Sequence, residues 1–245
     1  GALILYGISP GLFWRVLAYV AVFHFIKQQW GFISLYRGKG QEYGVWIRRV
    51  DWLATWVGTG VPILYWHCNL PRAFVWFMEG DYIPGLPPEV MTLAWPIYWG
   101  TLALYLGQRI WLFIKRGHLN LGKDLMMLST WGIYGVGIVA LNVDVACTAT
   151  NVLLHGIPYM ALVWVSCQGE RGQGDEDMTP GGAFVPWISH PKRVAFFVGL
   201  LLMLAFLEEG LWDGLIWQDH GEIFGDWSPL IEGLDWLPAL IVPLL

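Results

Sequence analysis

Apolar residues run through this chain in long blocks separated by short polar clusters. A block reads as a membrane-spanning helix when it supplies about 20 mainly apolar residues, enough at about 1.5 Å per residue to cross a hydrocarbon core. The pattern predicts spans near 12–36, 47–67, 92–114, 124–142, 145–167 and 194–217, with a seventh from 234 to the end. Residues 1–9 read as the tail of one more span, and both ends look truncated: the chain opens on "GALILYGISPG" and stops inside the apolar run "LPALIVPLL". The expected fold class is all-α, a polytopic integral membrane helical bundle of six or seven transmembrane helices forming one domain over 1–245. Residues 68–89, "CNLPRAFVWFMEGDYIPGLPPE", are aromatic and proline-rich and are expected to lie as an amphipathic lid along the outer interface. Residues 168–192 form a polar, glycine-rich loop on the opposite side.

Basic residues orient these spans. Arg37, Lys39, Arg48, Arg49, Lys115, Arg116, Lys123, Arg171, Lys192 and Arg193 all fall in alternate loops, whereas the intervening loops hold only Arg72 among basic residues. Those intervening loops carry acids instead, including Glu79, Asp81, Glu89, Asp219, Glu222 and Asp226. The basic loops therefore face the cytoplasm, in a cytoplasmic (inner) membrane.

Composition agrees with this class. The 245 residues are 56% hydrophobic and 13% charged, with a mean hydropathy of +0.50, where soluble domains carry roughly 25% charge. The 17 Trp suit a chain with many interfaces, where an indole buries its ring and keeps its N–H solvated. A net charge of −5 with dispersed basic residues leaves no surface for nucleic acid. Cys68, Cys147 and Cys167 lack CxxC spacing and read as packing residues.

Polar side chains inside the spans carry the chemistry, because each costs free energy in hydrocarbon and needs a partner or a purpose. His24 and His155 each lie twelve positions from the cytoplasmic ends of their spans, and Glu208 and Glu209 lie fourteen and fifteen from theirs. All four are expected in one slab near the bilayer midplane. Asp144, Thr148, Asn151 and His155 form a stripe at helical spacing, as do His24 and Gln28.

Imidazole and carboxylate together ligate non-haem iron, manganese or zinc, and two histidines with one carboxylate suffice for an open oxygen-activating iron site. His24, His155 and Glu208 or Glu209 are the candidate metal ligands. Gln28, Asp144, Asn151 and Asp213 are the candidates for orienting them. There is no HxxH, HxxHH or ExxH motif, so the membrane desaturase and ferritin-like di-iron patterns are absent. A purely structural role, with each buried group bonded to a neighbouring helix, is the alternative for each residue.

His24 and His155 would also suit bis-histidine haem ligation, and a proton path could run from Asp213 through Glu209 towards Lys27. Lys27 and Arg109 are expected to snorkel to the cytoplasmic interface and Arg15 to the outer one. His67 ends the second span, while His118, His190 and His220 fall in loops. Gln29 receives no role.

The expected function is a metal-dependent membrane oxidoreductase, with iron as the metal, acting on a lipophilic small molecule that enters from the surrounding lipids. The alternatives are a non-catalytic haem- or pigment-binding subunit among other membrane subunits of a respiratory or photosynthetic complex, and a proton-coupled transporter.

Overall fold

A computed structural model describes residues 1–73, 78–143, 155–169 and 191–241, and these contain helices and no strand. The helices are α1 (Ala2–Ile8), α2 (Pro10–Lys39), α3 (Val45–Cys68), α4 (Val90–Arg116), α5 (Leu121–Tyr134), α6 (Ile157–Gly169), α7 (Val194–Trp212), α8 (Gly221–Phe224), α9 (Ser228–Ile231) and α10 (Leu237–Ile241). α5 continues into a π-helical segment, Gly135–Ala140, and α7 into another, Asp213–Trp217. The apolar blocks at 12–36, 47–67, 92–114 and 194–217 thus all fall in helix. Among the described residues one helix, Val194–Trp217, is long and apolar enough by length and composition to cross a membrane.

Helix ends follow local chemistry. α4 closes at Gly117, whose φ of 75° is the left-handed conformation that glycine adopts without strain. α5 starts at Asn120, whose side-chain oxygen accepts from the Lys123 amide at 3.3 Å while its amide nitrogen donates to the Tyr36 carbonyl at 2.7 Å. This one side chain joins the end of α2 to the start of α5. Gly40 permits the approach, since a Cβ there would stand 2.1 Å from Asn120 Nδ2.

The chain divides into two compact units, a larger one over Trp14–Pro158 and a terminal one formed by Gly1–Phe13 with Tyr159–Leu245. In the larger unit α3 packs against both α4 and α5. Its core includes Ile33, Val50, Ala54, Met91, Tyr98 and Trp131, and a second cluster gathers Ala18, Val22, Ile26, Trp66 and Tyr82. Gly58 lets Trp131 lie against α3, where its indole Nε1 donates to the Ala54 carbonyl at 3.0 Å.

Polar and charged groups are buried beside this apolar core, and apolar side chains stand on the outside. α4 buries Thr101, Gln108 and Arg109 yet exposes Leu93, Ile97, Trp99, Ile110, Phe113 and Ile114. α3 buries Asp51, Thr55 and Thr59, and α5 buries Lys123 and Thr130 while exposing Leu121, Leu125 and Leu128. In water such an arrangement would forfeit the hydrophobic driving force on the outer face.

Residues 78–89 contain no helix, so the lid expected at 68–89 is a folded-back loop over its described part. Buried Tyr82 packs on Trp66 with ring centroids 4.6 Å apart. Arg15 clamps the loop by donating from Nη2 to the Gly80 carbonyl at 2.8 Å. In the terminal unit α1 packs on α10, Trp164 meets Phe197 at 4.8 Å and Phe206 meets Phe224 at 5.1 Å.

Candidate functional site

His24 and His155, from segments 131 residues apart in sequence, lie side by side in the larger unit. Their ring centroids are 5.7 Å apart with the planes inclined at 65°. Gln28, one turn beyond His24 on α2, holds His155 twice: its side-chain oxygen pairs with the ring Nδ1, and its Nε2 donates to the His155 carbonyl at 3.4 Å. Phe25 closes the side of the pair, edge-on to both imidazoles, at 5.9 Å from His24 and 4.7 Å from His155. His24 is exposed and His155 half-buried. With Gln28 on Nδ1, His155 would ligate through Nε2, the arrangement in which a hydrogen-bonded amide fixes the orientation of a metal-binding imidazole.

The remaining sequence candidates divide. Asp144, Thr148 and Asn151 lie outside the described residues, as does His190. Glu208 and Glu209 belong to the terminal unit and are exposed on α7. Asp213, in the same unit, is buried and ties down the turn that follows its helix: its Oδ1 accepts the backbone N–H of Asp219 at 3.0 Å and of His220 at 2.9 Å, with the His220 ring 3.3 Å away. Among the described residues no group of three His, Cys, Asp or Glu side chains is gathered as a metal would require.

A second cluster escaped the sequence reading. Asp51 of α3, Lys123 of α5, Glu42 of the α2–α3 loop, Arg109 of α4 and Asp124 of α5 form a chain of alternating charge. Lys123 Nζ donates to both Asp51 oxygens at 3.1 Å and also to Glu42 Oε2. Arg109 donates from Nη1 to Glu42 Oε1 at 2.8 Å and from Nη2 to Asp124 Oδ2 at 3.1 Å, with its Nε 2.6 Å from Asp124 Oδ1. Tyr105 completes the series by donating to Asp124 Oδ1 at 2.8 Å. Lys123 and Asp51 are wholly buried, and Glu42 and Arg109 nearly so.

Arg109 therefore does not snorkel to an interface, because two carboxylates neutralise it inside the protein. Gln29 also acquires a role: it is buried, and its side-chain oxygen accepts from the Thr130 hydroxyl at 3.2 Å. At Glu42 burial pushes the carboxyl pKa up, but hydrogen bonds and charge from Lys123, then Arg109, outweigh it and hold the group below the ordinary value. Each charge in the chain faces an opposite one, which makes it a clamp joining three helices and a loop, with no group presented to a substrate.

The missed cluster had a sequence signal. Asp51, Thr55 and Thr59 recur at intervals of four on one helix face, the same rule that marks His24 with Gln28. Arg109 sits in an otherwise apolar run and demands a counter-ion.

No family model, curated protein or solved structure matches the chain.

Proposed function

We propose that this chain is a polytopic membrane protein that holds a metal ion, iron by our reading, between His24 and His155 and oxidises a lipophilic substrate with dioxygen. The membrane part rests on the many aliphatic and aromatic side chains that face outward from the larger unit, while Asp51, Gln108, Arg109 and Lys123 are buried beside its apolar core. In lipid that arrangement is favourable, because the surroundings solvate the apolar surface and the charges pair inside.

The observation that carries the metal reading is the Gln28-oriented His155 beside His24. A metal bound at about 2.0–2.1 Å to an imidazole nitrogen sits roughly 3.2 Å from the ring centroid, so two such rings stand at most roughly 6.4 Å apart. The observed 5.7 Å fits an angled pair on one ion better than the opposed axial ligands of haem. The exposed edge of His24, flanked by Phe23 and Phe25, is where a lipophilic molecule would arrive laterally from the bilayer. The metal supplies the redox chemistry, and the phenylalanines position the substrate's apolar portion against it.

The test is elemental analysis with an absorption spectrum on detergent-purified protein. About one iron per chain, lost in His24→Ala and His155→Ala, supports the reading. Iron-free protein that neither variant distinguishes from wild type sinks it, and a Soret band replaces it with haem binding.

A further inference from the structure

The first turns of α3 border an open surface space of about 380 Å³ with Val45, Arg48, Arg49 and Trp52. Positions 45, 48, 49 and 52 share one helix face. Both arginines are exposed, and neither side chain makes a hydrogen bond or an ion pair among the described residues. Every other arginine of the larger unit is engaged. Arg15, Arg72 and Arg116 donate to backbone carbonyls, Arg109 to carboxylates, and Arg37 lies over the Trp30 ring at 5.1 Å.

The two guanidiniums do not stand over a polar surface. Val45 and Trp52 are 71% and 48% exposed, and the adjacent Tyr43 and Trp46 are 79% and 57% exposed. A free inorganic anion would satisfy the arginines and leave this apolar wall in water. A molecule with an anionic head and an apolar tail would satisfy both, since guanidinium forks match phosphate oxygens in pairs. Indole and phenol rings beside them are the side chains enriched at headgroup depth.

We propose that Arg48 and Arg49 bind the phosphate headgroup of an anionic phospholipid, with its first methylenes lying along Val45 and Trp52. This rests on the membrane reading above, in which these residues lie on the cytoplasmic side, where anionic lipid attracts basic residues close to the surface. The site is separate from the His24–His155 pair and needs no metal.

Native mass spectrometry of the full chain in detergent, titrated with dioleoyl phosphatidylglycerol or dioleoyl phosphatidylcholine, tests it. The expected result is a preference of about tenfold or more for phosphatidylglycerol, lost in the R48Q/R49Q double variant and unaffected by millimolar inorganic phosphate. The melting temperature of the variant should match wild type, because both side chains are exposed and, among the described residues, unpaired. Equal binding of the two lipids, or a preference that survives the double substitution, overturns the proposal. Displacement of the lipid by inorganic phosphate overturns it in favour of a free-anion site. A protein that stays monodisperse without detergent removes the membrane reading and this site together, whereas a detergent-dependent protein without lipid preference removes the site alone.

Discussion

Lys123 reaches from α5 to both carboxylate oxygens of Asp51 on α3, at 3.1 Å each, and solvent touches neither side chain. Their positions are 72 apart in sequence, so the contact exists only once α3 and α5 are packed. Continuing through Glu42, Arg109 and Asp124, it forms an ionic clamp within the larger unit. Removing one member leaves its partner charged and buried.

Lys123→Met is accordingly expected to lower the unfolding free energy by about 3–5 kcal/mol, because buried Asp51 loses its cation while Glu42 keeps only Arg109. Adding Asp51→Leu to that variant should recover part of the loss, as it removes the orphaned charge. Chemical denaturation in micelles for the two single variants and the double variant measures the coupling. Additive losses would show that the two residues do not interact.

Glu42 gives the clamp a pH dependence. Its folded-state pKa is held below the ordinary 4.5, so its stabilisation is complete above the unfolded value and is lost as the pH falls through the folded one. Acid unfolding should therefore steepen below pH 4.5. Glu42→Gln should be less stable at neutral pH yet show a flatter profile in acid, as followed by melting temperature against pH.

Gly58→Ala tests the contact between α3 and α5. The new Cβ would lie 2.3 Å from Trp131 Nε1 and 2.6 Å from its Cε2, and the ring is itself packed on Tyr98 at a centroid distance of 4.3 Å. The indole must shift and surrender its hydrogen bond to Ala54. A loss of about 1–3 kcal/mol is expected from overpacking of this kind, measured by thermal unfolding.

Gln28→Leu addresses the His pair. Removing the amide that holds His155 should weaken metal retention about 10–100-fold if the pair binds iron. Competitive chelation followed by elemental analysis measures this. Unchanged retention would show that Gln28 does not orient a ligand.

Much of this architecture follows from local pattern. The apolar blocks at 12–36, 47–67, 92–114 and 194–217 lie in helices because a helix satisfies its own backbone and needs only a local run of suitable side chains. Helix rise alone grouped His24 and His155 with Glu208 and Glu209; the two imidazoles stand 5.7 Å apart in the larger unit, and the glutamates belong to the other unit. Gln28, chosen because it shares a face with His24, holds His155 across 127 positions.

Which polar residue meets which other was decided by tertiary structure. Arg109, Lys123 and Glu42 are ordinary interfacial charges when read singly, and Gln29 has no evident purpose beside Gln28. Periodicity says which residues share a helix face, but not which face of which neighbour it meets. Asp51 and Lys123 became a clamp because α3 packs on α5 with those faces inward, and burial then left each charge no partner except the other.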